Sequence, residues 1–325
     1  MKNILITGGA GFIGSHLTDH LLGKGYNVTV IDNLSNGSAS YLKNANTYKS
    51  FSYIEGDVMN EPLMEELIKT HDVIFHLAAV LGVKNTVDDP LKIIEGNIDG
   101  TRVVLELAYR YGKKVIFSST SEIYGKNPDL PYTEHSSRVL GDPSIHRWCY
   151  ATAKALDEHM CFAYAKKGLP MTVVRFFNTY GPRQDYSTYG GVIPIFIQKA
   201  LDGEPLPIHG DGQQIRCFGF VLDVVKGLEA AMHPNANDKA FNLGATEAIT
   251  ILDLAKKIIA LTNEATYEFV PYEKAYGIGY EDIPTRIPSL DRANKILGYE
   301  PKIKLQQGLI ETINWYKARK SEELS

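Results

Sequence analysis

The sequence predicts an α/β fold built on a doubly wound parallel sheet, with a smaller substrate-binding α/β portion towards the C-terminus. Three observations predict it. The chain opens on a short apolar run, a glycine-rich turn and a helix pattern. Apolar runs of strand length then alternate with helix-length segments as far as Arg175, the pattern of crossover units in a parallel sheet. Beyond Phe177 the elements become shorter and more broken. With 325 residues, 44% of them hydrophobic, the chain can bury a large core and is expected to form one compact two-part unit. The division falls at 1–179 and 180–325.

Ile4-Leu5-Ile6 is the first strand, and Thr7-Gly8-Gly9-Ala10-Gly11-Phe12-Ile13-Gly14 turns it into a helix running through Leu22. Glycines let the backbone approach a pyrophosphate, and the helix N-terminus offers N–H donors and a favourable dipole. Two spacings fit, Gly9-x-Gly11-x-x-Gly14 and Gly8-x-x-Gly11-x-x-Gly14. The second strand, Asn27 to Ile31, ends at Asp32, where an acid would hold the adenosine ribose hydroxyls. Its carboxylate would repel a 2′-phosphate, and no arginine follows in Asn33 to Gly37, so NAD is expected over NADP. The alternative for Asp32 is a strand-end residue capping a turn.

Leu91 to Tyr111 has apolar residues at helical spacing with Asn97 inside that face. Lys114 to Phe117 is a buried strand that delivers Ser118-Ser119-Thr120-Ser121-Glu122 to its C-terminal end, the edge where open parallel sheets bind ligands. Trp148 to Tyr164 contains neither Gly nor Pro, so Tyr150 and Lys154 lie one turn apart on one helix face. A phenol beside an ammonium suits proton abstraction, because a nearby positive charge favours the phenolate. The spacing alone is common on helices. Its position about 30 residues after a Ser/Thr-rich strand end, in a chain that opens on a dinucleotide loop, gives it weight.

On these residues the chain resembles the extended short-chain dehydrogenase/reductases, in the branch that modifies nucleotide sugars, over nearly its whole length. The resemblance implies a Rossmann-like fold that uses the Gly8-x-x-Gly11-x-x-Gly14 spacing. It also implies an NAD site made by Gly8, Gly11, Phe12, Ile13, Gly14, Asp32, Asn33, an adenine-contacting turn at Asp57-Val58, the strand end Leu77-Ala78-Ala79, Ser118, Tyr150 and Lys154. Tyr150 would be the base. Lys154 would lower its pKa and hold the nicotinamide ribose, and Thr120 would hydrogen-bond the reacting sugar hydroxyl. Asn97 falls where relatives carry a buried asparagine near the active site, although a core hydrogen bond would explain it equally. In relatives the Leu91–Tyr111 helix and the Tyr150 helix form a homodimer; core packing would also account for their apolar faces.

The implied reaction begins with oxidation at sugar C4. Sugar 4-epimerases usually lack an acid at the position of Glu122, and 4,6-dehydratases typically carry an Asp-Glu pair where this chain has Ser121-Glu122. Ser119-Thr120-Ser121-Glu122-x-Tyr124-Gly125, with Arg286-x-Pro288-Ser289, is most similar to UDP-glucuronate decarboxylases. A 4-keto group would make loss of carbon dioxide from the sugar carboxylate facile, with Glu122 and Arg286 orienting that carboxylate and managing proton return at C5. Ser121, Asn178, Arg216 and Arg286 are the expected substrate contacts, and Arg183 reads as a surface charge. The alternatives are a nucleotide-sugar 4-epimerase and then a 4,6-dehydratase.

A formal net charge of −4 and a pI near 6.2 give no basic excess for nucleic acid. No apolar run approaches a membrane span, and Met1-Lys2-Asn3 leads straight into a strand rather than a signal peptide. Cys149, Cys161 and Cys217 lack metal-ligand or disulfide spacing, so no metal is expected and a cytoplasmic location fits. An NAD-sensing regulator or a structural oligomer on the same fold would not need Thr120, Tyr150 and Lys154 together.

Overall fold

The computed structural model describes residues 2–80, 89–184, 191–262, 265–276 and 281–323. Strands are numbered in chain order. The first six are β1 (Asn3–Thr7), β2 (Asn27–Asp32), β3 (Phe51–Glu55), β4 (Val73–His76), β5 (Lys114–Thr120) and β6 (Met171–Phe176). The short strands β7 (Thr179–Tyr180), β8 (Leu206–His209), β9 (Ile215–Cys217) and β10 (Gly219–Phe220) follow. The last four are β11 (Lys239–Leu243), β12 (Ala248–Thr250), β13 (Tyr267–Val270) and β14 (Thr285–Arg286).

Seven strands form a sheet in the order β11-β6-β5-β4-β1-β2-β3, every neighbouring pair parallel. The order reverses between β1 and β4, the switch point where a dinucleotide binds in such sheets. Thr7 pairs in register with both Ile31 and His76, so the strand ends carrying the glycine turn, Asp32 and Leu77 lie side by side.

Alternation along the strands sorts the two faces. Ile4, Ile6, Val28, Val30 and Ile116 pack with the helices Phe12–Gly23 and Val221–Ala230 on one side. Leu5, Ile31 and Ile74 meet Met64, Ile68, Val104 and Leu107 of the helices Glu61–Thr70 and Pro90–Arg110 on the other. Val115, Phe117, Met171 and Val173 pack there against Cys161 of the helix Cys149–Lys166. This period-2 partition is what a sheet covered on both faces requires.

The C-terminal part has its own core, in which Phe196, Ile208, Leu254, Ile258, Leu309 and Ile313 come together. It is not a separate bead on the chain. After β7 the chain builds β8 to β10, then returns through the helix Val221–Ala230 to supply β11, the edge strand beside β6. Contacts at the crossing tie the parts further: His16 Nε2 lies 2.8 Å from the Pro182 carbonyl oxygen, and Arg183 reaches Asp19 at 2.7 Å. Arg183 is thus anchored rather than the exposed charge its sequence context suggests. Among the described residues no helix is long and apolar enough to cross a membrane, and no cluster of His, Cys, Asp or Glu could hold a metal.

Candidate active site

Two cavities open near the C-terminal end of β5, one with Ser118 and Ser119 in its lining and the other with Glu122. The first, of about 290 Å³, lies over the switch point and is lined by Gly8, Gly11, Phe12, Ile13, Gly14, Asp32, Asn33, Asp57, Val58, Leu77, Ala78, Ala79, Ser118 and Tyr150. Its floor has room for nothing larger than glycine at two positions. Gly8 has φ +71°, and a Cβ there would stand 2.7 Å from the Ala78 nitrogen; one on Gly14 would stand 2.2 Å from the Gly8 carbonyl oxygen. No side chain caps the N-terminus of the helix Phe12–Gly23, which leaves its first N–H donors for an anion. Asp32 accepts from the Ala10 and Leu34 nitrogens at 2.9 and 2.8 Å, and Asn33 donates to Asp57 at 2.8 Å, so the carboxylates along one wall are fixed in place.

The second cavity, of about 330 Å³, is lined by Glu122, Asn178, Arg216 and Arg286 together with Arg147, Gln214, Tyr272 and Asp282. Thr120 ends β5 and its hydroxyl accepts from the Glu122 nitrogen at 3.2 Å, holding the short turn Ser121–Tyr124 that aims Glu122. The two Glu122 oxygens are divided between two arginines: Oε1 to Arg286 Nη2 and Oε2 to Arg147 Nη2, both at 2.6 Å. Burial works against the charge on Glu122, but Arg147 and then Arg286 outweigh it and hold the carboxyl at about 2. Arg286 Nη1 also reaches Ser121 Oγ at 3.4 Å. Parallel pairing of β14 with β9 sets Arg286 beside Arg216, and Asp282 bonds Arg216 at 3.0 Å. Burial, then the Arg286 charge, lower the Arg216 pKa.

A family model described as the NAD dependent epimerase/dehydratase family matches residues 4–244. The chain belongs to this family. A UDP-N-acetyl-α-D-glucosaminuronate decarboxylase from Bacillus cytotoxicus is 44% identical over 97% of this chain and 98% of its own length. UDP-glucuronic acid decarboxylase 1 of Danio rerio is 38% identical over 97% of this chain and 72% of its own. Among solved structures, a UDP-glucuronic acid 4-epimerase from Bacillus cereus, in complex with UDP-glucuronic acid and NAD, superposes with a TM-score of 0.88 at 28% identity, covering 98% and 99% of the two chains.

NAD is the family's cofactor, and this chain's residues fit it. The glycine floor admits a pyrophosphate, and the Lys154 ammonium is buried without a hydrogen-bond partner among the described residues, as a group awaiting a hydroxylated ligand would be. Lys154, Thr120 and Ser121 are not among the residues that line either cavity.

One expectation is corrected. Lys154 does not lower the Tyr150 pKa here; burial, reinforced by the charges of Glu122 and Asp157, raises the phenol above its ordinary value. The ammonium lies 3.8 Å from Asp157 Oδ2 and 4.4 Å from the centre of the Phe117 ring, so its charge is directed at Asp157. Asp157 is itself pushed up to about 6, chiefly by burial. Asn97 lies buried, with its amide donating to Val80 and Ile93 carbonyls at 3.0 and 2.7 Å and its Oδ1 without a partner among the described residues.

Arg147, Gln214, Tyr272 and Asp282 line the second cavity and were not among the residues expected from the sequence. For Arg147 the available signal was an arginine three residues before Tyr150, in the turn His146–Trp148 that leads into the helix Cys149–Lys166. Behind β5, Ser119 donates to Glu158 at 2.5 Å, and Glu158 takes Arg175 in a two-point grip at 2.9 and 2.6 Å; this anchor was also unread.

Proposed function

We propose that this family member removes carbon dioxide from a UDP-hexuronate through a 4-keto sugar, with UDP-glucuronate as substrate. The observation that carries this is the Glu122–Arg286 ion pair at the end of β5, in the wall of the second cavity and one strand end away from the dinucleotide site. Gly8, Gly11, Gly14, Phe12, Ile13, Asp32, Asn33, Asp57, Val58, Leu77, Ala78, Ala79 and Ser118 would hold NAD, with Lys154 on its ribose. Bound NAD supplies hydride acceptance and return at C4. Tyr150 takes the C4 hydroxyl proton, and Thr120, whose oxygen is occupied by the Glu122 N–H, keeps its own proton to donate to the sugar oxygen. Once C4 is a ketone, the C5 carboxylate is a β-keto acid. Its C–C bond breaks to release carbon dioxide, and the electron pair remains as an enolate that is protonated at C5. Arg286 and Glu122 orient the leaving carboxylate; Arg216, Asn178 and Ser121 position the substrate.

Selectivity for NAD over NADP rests on Asp32, since a fixed carboxylate repels a 2′-phosphate. The 44% relative supports a second substrate reading, a uronate with an acetamido group at C2. The Bacillus cereus structure supports 4-epimerisation as the rival reaction. Mass spectrometry of the products from UDP-glucuronate and UDP-N-acetylglucosaminuronate decides among them. Loss of carbon dioxide is expected from at least UDP-glucuronate; an isobaric product would replace the decarboxylase by the epimerase.

A homodimer is proposed on the helices Pro90–Arg110 and Cys149–Lys166, which expose Leu91, Tyr109 and Leu156. Sedimentation of wild type against Leu156→Glu tests it, the variant being expected to shift to monomer. Three free thiols fit a cytoplasmic location, checked by cell fractionation.

A further inference from the structure

We propose that Asp157 is a positioning residue for the reaction, the buried counter-ion that keeps the Lys154 ammonium protonated for the cofactor ribose. The observation is a pair of opposite charges sealed from water without hydrogen bonds. Lys154 and Asp157 are 1% and 0% exposed, and their charged atoms lie 3.8 Å apart. That separation is too long for a hydrogen bond, and among the described residues neither the ammonium nor either carboxylate oxygen has a hydrogen-bond partner. Such a pair adds little to the fold, since the desolvation of two charges outweighs their attraction unless hydrogen bonds complete the pair. What it changes is the charge state of Lys154. Burial lowers the Lys154 pKa, and Asp157 is foremost among the groups that raise it; burial pushes Asp157 up to about 6, and Lys154 is foremost in opposing that.

The titratable groups around the pair do not replace Asp157. From β4, His76 lies 2.9 Å from the Thr7 hydroxyl and is lowered to about 3 by burial and then by the Lys154 charge, so it is neutral. Glu158, the next residue on the helix, is held by two Arg175 nitrogens at 2.9 and 2.6 Å. Burial pushes the Cys161 thiol well above its ordinary value, and burial with the Glu122 charge does the same to the Tyr150 phenol, so neither is an anion near neutrality. The other neighbours are uncharged. Thr101, from the helix Pro90–Arg110, favours the Asp157 carboxylate, and the Phe117 ring of β5 has its centre 4.4 Å from the ammonium. Without Asp157, the Lys154 ammonium would therefore be a buried cation whose remaining nearby carboxylate already serves Arg175, and burial would strip its proton.

The inference rests on the contact between Lys154 and the NAD ribose in the proposed function, and not on the decarboxylation, so the test reads protonation and cofactor binding rather than turnover. The full chain, isotopically labelled at lysine Cε, is titrated by NMR, with K154R identifying the Lys154 resonance. D157N keeps the shape and removes the charge. It should lower the Lys154 midpoint by at least about one pH unit, the shift expected from losing an opposite charge within about 4–6 Å. Above that new midpoint, calorimetry on nucleotide-free protein should find NAD bound roughly 5- to 10-fold more weakly by D157N than by wild type, the difference between a charge-assisted and a neutral hydrogen bond. Binding should recover as pH is lowered through the midpoint, which damage to the fold would not do. A Lys154 midpoint unchanged in D157N overturns the inference. If D157N does not fold, wild type decides: the Lys154 resonance should show a second, smaller step where Asp157 titrates near pH 6, and a single step overturns the inference. K154M separates the two readings. NAD binding as tight as wild type in K154M removes the ribose contact and with it the positioning role; weakened binding beside an unshifted D157N midpoint removes the role of Asp157 and leaves the contact standing.

Discussion

Tyr150, the base of the proposed reaction, has its phenol held protonated by burial and by the Glu122 and Asp157 charges, so that role requires its environment to change first. Tyr150→Phe is expected to lower turnover by about 10²- to 10⁴-fold, the usual loss for an acid/base group, while calorimetry still shows NAD binding. Glu122 sits at the other extreme. Its carboxyl is at about 2 in the folded chain against an ordinary 4.5, so the native state releases this proton more readily than the unfolded one. The stabilisation is complete above the ordinary value and is lost as pH falls through about 2. At 1.36 kcal/mol per pH unit, it amounts to about 3 kcal/mol. Urea unfolding should therefore find Glu122→Gln less stable by about that much near neutrality, with the gap closing below pH 4.5. The partnership of Glu122 with Arg286 was legible in the sequence through resemblance, for 164 residues separate them. The mistaken expectation for Tyr150 and Lys154 has a plain cause: spacing on a helix gives proximity, but the depth of burial comes from packing, and Asp157, three residues beyond Lys154 on the same helix, was not weighed.

The helix Cys149–Lys166 carries Tyr150 and Lys154 outward and is fastened at mid-length to β6 by Glu158 and Arg175. Arg175 Nη1 continues to the Tyr124 hydroxyl at 2.8 Å, and Tyr124 donates to Asn242 at 2.7 Å, linking β5, β6 and β11 through one buried polar chain. Arg175→Met would leave Glu158 buried against an apolar neighbour. It should cost about 3–5 kcal/mol in urea unfolding. Arg175→Met combined with Glu158→Leu should recover much of that, because removing both charges leaves no uncompensated one. Element positions were the most legible part of the sequence. Expected helices at Leu91–Tyr111 and Trp148–Tyr164 appear as Pro90–Arg110 and Cys149–Lys166, the first marked by apolar periodicity despite Gly96 and Gly100, the second by the absence of Gly and Pro. The two-residue strands β7, β10 and β14 were not legible. Thr285–Arg286 pairs with Ile215–Arg216, and its extension continues into backbone bonds with Tyr132, neighbours that are far away in the chain.

At the scale of the molecule, the chain leaves the main sheet at β6, builds the second cavity, and comes back as β11 before finishing the C-terminal part. Asn242 then ties that returning strand to the segment bearing Arg286: its amide donates to the carbonyls of Tyr132 and Ser289 at 2.9 and 3.3 Å. The dinucleotide floor belongs to the seven-stranded sheet, and the second cavity's wall, on the small sheet β12-β9-β14, is tied to that sheet through Asn242, so the two should open together. Amide hydrogen exchange makes this measurable. Backbone N–H groups of Phe241 and Asn242 should exchange through the same global unfolding event as those of Leu5 and Ile6, with one shared dependence on denaturant. Saturating NAD, whose cavity has neither Phe241 nor Asn242 in its lining, should slow all four by the same factor. Faster exchange at Phe241 and Asn242, unaffected by NAD, would show that the edge strand frays on its own. In the expected case the cofactor acts as a clamp on the far edge of the sheet, and loss of NAD loosens a strand outside the cavity that would hold it.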